Sequence, residues 1–188
     1  IQVGMGAMTF VSYAKSGYNV TVTLHESNVL RQHWRRSVPE AQRYFGHVSN
    51  LTRKDRATIA QFVSGRVRGG MGFTDLANGY WSALANDGAK HAFFLISREC
   101  YSSPNSPLYG CRPVVFNHDQ FVVEAPEAIA PEAAARLRVL AEGGMRAFVP
   151  DIPIVNEPAL MRRWSKDGGD PVYDRYGRLI PYEDRERT

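Results

Sequence analysis

The stretch Arg112-Pro-Val-Val-Phe-Asn-His-Asp-Gln-Phe-Val-Val-Glu-Ala-Pro126 decides how this chain is read. Two apolar, β-branched runs, Val114 to Phe116 and Phe121 to Val123, flank the four polar residues Asn117 to Gln120. That pattern predicts a tight β-hairpin whose apolar strands lead into a polar tip of turn formers. The tip carries His118 and Asp119, and buried strands on either side would hold the carboxylate out towards a hard cation. Asn and Asp also populate turns for structural reasons alone, because their side chains bond neighbouring backbone. The hairpin by itself leaves both meanings open.

Outward from the hairpin, the strongest pattern is helical. Phe73, Leu76, Ala77, Tyr80, Trp81, Leu84, Ala85, Ala89, Ala92, Phe93 and Ile96 recur at three- and four-residue steps, which predicts a long amphipathic helix. Asn78, Ser82, Asn86 and Lys90 follow at steps of four on a polar stripe, solvent-facing unless something docks there. Upstream, helices are expected around Phe10 to Ala14, over Leu24–Arg36 and after Pro39, with a short strand over Ala57–Val63 closed by Ser64-Gly65. Downstream, Pro131 opens an Ala/Leu-rich helix expected to stop at Gly143-Gly144. Val149–Val155 reads as an extended edge strand, Pro158–Trp164 as a short helix, and the chain from Asp167 as an aperiodic tail or clasp. The fold class expected is α/β (α+β): an antiparallel hairpin or sheet packed with several long helices.

Composition narrows the classes. With 188 residues, 44% hydrophobic and 22% charged, the chain can build a substantial core. No apolar run approaches the roughly 20 residues that a membrane helix needs. No basic, then apolar, N-terminal leader is visible in this sequence, which begins at Ile1, so an intracellular (cytoplasmic) location is expected. The net charge of +4 is mild, but Arg31, Arg35, Arg36, Arg43, Arg53, Lys54, Arg56, Arg66 and Arg68 crowd one third of the sequence. A solvated helix face would explain them. A phosphate-binding surface would require them to converge. Cys100 and Cys111 bracket one Pro/Ser loop; they could meet across it, but an intracellular chain more often keeps free thiols, so the sequence leaves their state open.

Several segments, in order, resemble the family A DNA polymerases, especially bacteriophage-type members, over roughly residues 1–166. His118, Asp119 and Glu124 are similar to the family's motif C, with Gln120 where the family has an acid. Gly4-Met5-Gly6 and the helix after it look like the segment following the nucleotide-binding helix. Val63-Ser64-Gly65-Arg66-Val67-Arg68 resembles the turn that meets the primer-template backbone. Asn78, Ala85, Asp87 and Lys90 match the helix that lies along the duplex minor groove, Ser82 standing where Gln is usual, and Trp164-Ser165-Lys166 resembles the closing Trp segment.

The resemblance implies part of a right-hand polymerase fold: residues 1–56 as the end of the fingers, 57–166 as palm, and 167–188 as a C-terminal tail. It implies catalytic roles for Asp119 and His118, with Asp119 as a ligand of Mg2+ and His118 by the primer terminus. Arg66, Arg68, Asn78, Ser82, Lys90 and His118 would contact DNA, and Gln120 and Glu124 would support the site. Phosphoryl transfer relies on positioning and on charge neutralisation between carboxylates and phosphate oxygens. The partners implied are primer-template DNA, a deoxynucleoside triphosphate (dNTP), and an N-terminal polymerase portion carrying motif A and the nucleotide-binding helix. Without that portion the chain should be inactive. A non-catalytic DNA-binding or assembly subunit with a degenerate polymerase fold is the alternative, and an unrelated α/β module with a chance His-Asp turn is a third reading.

Overall fold

A computed structural model describes residues 5–165 and 168–182. Gly4 of the Gly-Met-Gly segment, Lys166 of the closing Trp segment, and Asp167 and 183–188 of the expected tail lie outside the described residues. The chain divides into two compact units, Ile1–Ala83 and Leu84–Thr188.

The first unit opens with three helices: α1 (Ala7–Tyr18), α2 (Leu24–Ser37) and α3 (Pro39–Thr52). The α1 helix ends because Asn19 turns left-handed at φ 52°, which lets the amides of Asn19 and Val20 reach back to the carbonyls of Lys15 and Ala14. A capping box starts α2, in which the Glu26 amide donates to Thr23 Oγ1 and the Thr23 amide to the Glu26 carboxylate. The buried Ser27 hydroxyl donates to the Ala7 carbonyl at 3.0 Å and ties α2 to α1. Pro39 in the first turn opens α3, as expected, although Val38 at the cap offers no side-chain oxygen.

Two strands follow, β1 (Ala57–Ala60) and β2 (Val67–Met71), paired antiparallel. The sequence shows β1, but the strand expected to reach Val63 stops at Ala60, where Gln61 turns its side chain to the Gly79 carbonyl and residues 62–64 form the turn. Strand β2 is hidden, because Val67-Arg-Gly-Gly-Met has no apolar alternation. The strand forms because Gly65 (φ 67°) turns the chain back and β1 supplies the partner. The core of this unit is Val48, Ala57, Ile59, Met71, Leu76 and Ala77, edged by Tyr44, Phe45, Phe73 and Tyr80.

Helix α4 (Phe73–Ser102) is continuous; its first eleven residues fall in the first unit and the rest in the second. In the second unit, strands β3 (Arg112–Asn117) and β4 (Gln120–Glu124) form the predicted hairpin. Helix α5 (Ala130–Arg146) lies after it, with Pro131 in its first turn. Gly143 and Gly144 do not stop α5. A Cβ at Gly144 would come within 2.5 Å of the Ala92 backbone, so that glycine serves a close approach of α5 to α4. Ile96, Cys100, Leu108, Cys111, Ala133 and Leu140 make the core.

Three downstream expectations are corrected. Residues 149–155 form no strand: Pro150 and Pro153 lack amide donors, and the segment is held instead by Arg146 to the Ile154 carbonyl and by the Asn156 amide to Glu142. Residues 158–164 form no helix. So short a segment gains little from a helical nucleus, and Leu160–Met161 (β5) pairs in parallel with Leu179–Tyr182 (β7). The described part of the tail is therefore structured: β7 also pairs antiparallel with β6 (Val172–Tyr173), giving the order β5-β7-β6. The class is mixed α/β, with helices and small sheets.

Candidate functional site

The hairpin tip is built by two residues. Asn117 pairs with Gln120, so His118 and Asp119 form the whole connection. His118 has φ 54°, whereas Asp119 does not share the positive value. A positive φ at the first central residue alone is the pattern of a type II′ turn, where glycine is usual. An imidazole there costs backbone strain of the kind that clusters at functional sites. Both side chains are exposed.

Aromatic rings hold the tip. Phe116 and Phe121 are register partners one pair below Asn117 and Gln120, with centroids 5.3 Å apart. Phe93 of α4 stacks on both, at 5.2 Å and 5.7 Å. Such offset stacks contribute beyond the area they bury. The strands are less buried than the sequence suggests: a register shift between Pro113 and Val115 leaves Val114 and Val115 exposed. The tip is thus fixed by one ring cluster on one face of the ribbon.

Glu124 does not join Asp119. It pairs with Arg112 at the base of the hairpin, about 16 Å of strand away from the tip. Gln120 is exposed and sits at the tip's edge. Among the described residues no group of three His, Cys, Asp or Glu side chains could hold a metal ion. A single exposed carboxylate is one share of an oxygen-ligand site, and Mg2+ takes one or two carboxylates together with water and substrate phosphates. The tip alone offers magnesium one carboxylate, so the described residues make no self-contained site for it.

Beside the hairpin lies an open groove of about 720 Å³, lined by Asp119, β4, α5 and residues 156–164, including Arg162, Arg163 and Trp164. Asn156 Oδ1 in its wall is buried without a hydrogen-bond partner among the described residues. Nothing in the sequence singles out that groove, because its walls come from segments far apart in the chain.

The second unit is braced by charge. Glu99 of α4, largely buried, receives both Nε (2.8 Å) and a terminal nitrogen of Arg136, and also the Ser106 hydroxyl at 2.6 Å. The Arg136 bonds, with Ser106 assisting, hold the Glu99 carboxyl below the usual carboxylate range against the opposing effect of burial. Burial pushes the Cys100 thiol up to about 11, with the neighbouring Cys111 adding to it. Both cysteines are free thiols.

In the first unit the turn between β1 and β2 carries Arg66, and Arg68 follows on β2. The Gln61 amide donates to the Arg66 carbonyl at 2.9 Å, and the Gly65 amide to the Gln61 carbonyl at 2.8 Å. Two side chains fasten this turn to α4: Gln61 Nε2 donates to the Gly79 carbonyl (3.1 Å) and an Arg66 terminal nitrogen to the Ala83 carbonyl (3.1 Å). Arg66 therefore reaches α4 at the residue after Ser82, and part of its donor capacity is spent inside the protein. Arg68 is exposed. Of the polar stripe, Asn78 (half-buried) and Ser82 (exposed) belong to this unit, and Asn86 (half-buried) and Lys90 (exposed) to the second. Asp87 is buried.

The chain is similar to DNA polymerase I of Aquifex aeolicus (strain VF5), with 24% identity over 166 residues. The match covers 87% of this chain and 28% of the relative's length. No protein-family model matches the sequence. No described helix is long and apolar enough to cross a membrane. The similarity is distant and spans about a quarter of that relative's length, and it supports a relation to bacterial DNA polymerase I.

Proposed function

We propose that this chain is the C-terminal portion of a template-directed DNA polymerase, contributing one catalytic carboxylate and much of the grip on primer-template DNA. The observation that carries the reading is Asp119, exposed at a two-residue hairpin tip that a stack of phenylalanines fixes, within a chain of which 87% aligns with a polymerase. The palm is assigned to residues 57–166, the end of the fingers to 1–56, and the tail to 167–188. The palm so defined draws on both compact units.

In this reading the Asp119 carboxylate is a fixed negative point beside the reacting phosphates, and His118 lies by the primer terminus. When bound, magnesium would neutralise the triphosphate and make the primer hydroxyl a better nucleophile. Arg68, with whatever donors Arg66 has to spare, holds backbone phosphates without reading sequence. Asn78, Ser82 and Lys90 face the duplex, and Ser82, shorter than Gln, reaches a base edge directly only at closer approach. Gln120 and Glu124 support the hairpin. Motif A and the nucleotide-binding helix come from an N-terminal portion or a partner chain. A companion chain bearing motif A should restore magnesium-dependent primer extension, and extension by this chain alone would refute the divided-site reading.

A non-catalytic DNA-binding or assembly subunit is the second reading. It is favoured by Gln120, an amide where the family has an acid, and by the lack of a second carboxylate at the tip among the described residues. Under that reading the companion chain assembles and binds DNA but incorporates nothing.

A further inference from the structure

The first unit displays a side chain that the polymerase reading leaves unused. Phe62 opens the β1–β2 turn and is 83% exposed. An aromatic ring in water is ordinary on a loose loop, but this turn is closed at both ends. Backbone bonds join Gln61 to Arg66 and to Gly65, and Gly65 (φ 67°) makes the reversal without strain. Gln61 and Arg66 pin the turn's two sides to α4 carbonyls. The ring is therefore presented from a preorganised base, and Val63 and Val67 (63% exposed) are exposed apolar residues of the same hairpin.

Charge points to the partner. Residues 1–83 hold ten Lys and Arg against four Asp and Glu, a net +6, whereas residues 84–188 net −2. Arg68 lies on β2, exposed. A firmly based aromatic face on a net-positive unit, with the exposed Arg68 on the adjoining strand, suits a polyanion whose units carry flat π surfaces: a nucleic-acid strand with unstacked bases. Paired bases within a duplex are already stacked on each other, and inserting a ring between them first costs their separation. We propose that Phe62 is a base-stacking residue that packs on an unpaired nucleobase of a bound strand, while Arg68 holds the adjoining phosphate. The proposal rests on the DNA-binding reading above and assigns a new contact within it.

The test uses the full chain with a primer-template bearing a single-stranded overhang, and with the blunt duplex of the same length. Phe62→Ala should weaken binding to the overhang substrate about tenfold, leave its salt slope unchanged, and leave blunt-duplex binding unaffected. Phe62→Trp should retain affinity. The emission that this variant gains over the wild type, which already holds Trp34, Trp81 and Trp164, should be quenched by the overhang substrate only. Intact binding by Phe62→Ala, with no quenching in Phe62→Trp, overturns the stacking role and leaves the polymerase reading standing. Equal quenching by the blunt duplex overturns it in favour of a duplex wedge. If Phe62→Ala instead abolishes self-association of the chain without touching DNA binding, the ring is a protein contact. Failure of the wild-type chain to bind either DNA overturns both readings together.

Discussion

The molecule carries two short hairpins, and they are held in opposite ways. The β1–β2 turn is fastened by polar side chains, Gln61 and Arg66, to carbonyls of α4, and it presents cations and an exposed ring. The β3–β4 tip is fastened by ring stacking of Phe93, Phe116 and Phe121, and it presents an imidazole and a carboxylate. Under the proposed function the difference has a physical sense. A tip that attracts phosphate could spend some of its own donors on positioning, since guanidinium has five. A tip that offers one carboxylate has none to spare, and apolar packing fixes it without competing for that charge.

The contrast breaks most decisively at Asp119. In the assembled enzyme, Asp119→Asn should lower nucleotide incorporation by at least about a hundredfold with the thermal melt unchanged, because the side chain is exposed. Near-normal incorporation would leave the second hairpin as a structural turn. If ring stacking holds that hairpin, Phe93→Ala should cost about 3 kcal/mol of stability, read by denaturant titration. It should also raise amide exchange at β3 and β4 while exchange at β1 and β2 stays as it was. Loss of protection at both hairpins would mean the two supports are not independent.

Acid sharpens the comparison next. An unfolded Glu titrates near 4.3, and Arg136 and Ser106 hold the Glu99 carboxyl lower in the fold. The unfolded state therefore takes up its proton first. The stabilisation is present above about pH 4.3 and is lost as pH falls through the folded value. Thermal melts followed from pH 6 downwards should show the second unit weakening in that window, and Glu99→Gln should remove that part of the slope. The smallest effect is expected on the basic hairpin. Arg68→Ala should flatten the salt dependence of DNA binding by about one unit with stability intact. Arg66→Ala should do the same and also lower stability, since Arg66 bonds the Ala83 carbonyl. Identical behaviour of the two variants would show that the clasp contributes nothing.

The acidic hairpin is the more legible of the two. Its turn chemistry is local, so Asn117 to Gln120 announce it, and its apolar flanks mark the strands. The basic hairpin reads only as one strand and a turn, because Gly69 and Gly70 carry no pattern and β2 exists through pairing. The three-stranded sheet of β5, β6 and β7 is invisible for a similar reason: strands of two to four residues, joined across some twenty positions, leave no periodicity to find. Polar segments there, with prolines, mislead in both directions. The place of a single residue in a local turn is legible, as for Asp119 at its hairpin tip. Placement that depends on assembly is illegible, as in the separation of Glu124 from the tip or the partial commitment of Arg66. Ser64-Gly65 marks the reversal after Phe62, but the sequence puts Phe62 itself in the strand, and the exposure of its ring is a property of the turn's shape.

The buried cysteines give the protein a stopwatch. With its thiol pushed up to about 11, Cys100 carries far less thiolate at neutral pH than an ordinary free cysteine titrating near 8.5, and the thiolate is the species that alkylating reagents trap. Cys111, wholly buried in the same core, is shifted the same way. Neither thiol should be labelled by a maleimide while the fold is closed, and both should be labelled once the core around Ile96 and Leu108 opens. The rate at which the two native thiols take up label thus reports the opening of the second unit, in a chain that needs no engineered probe.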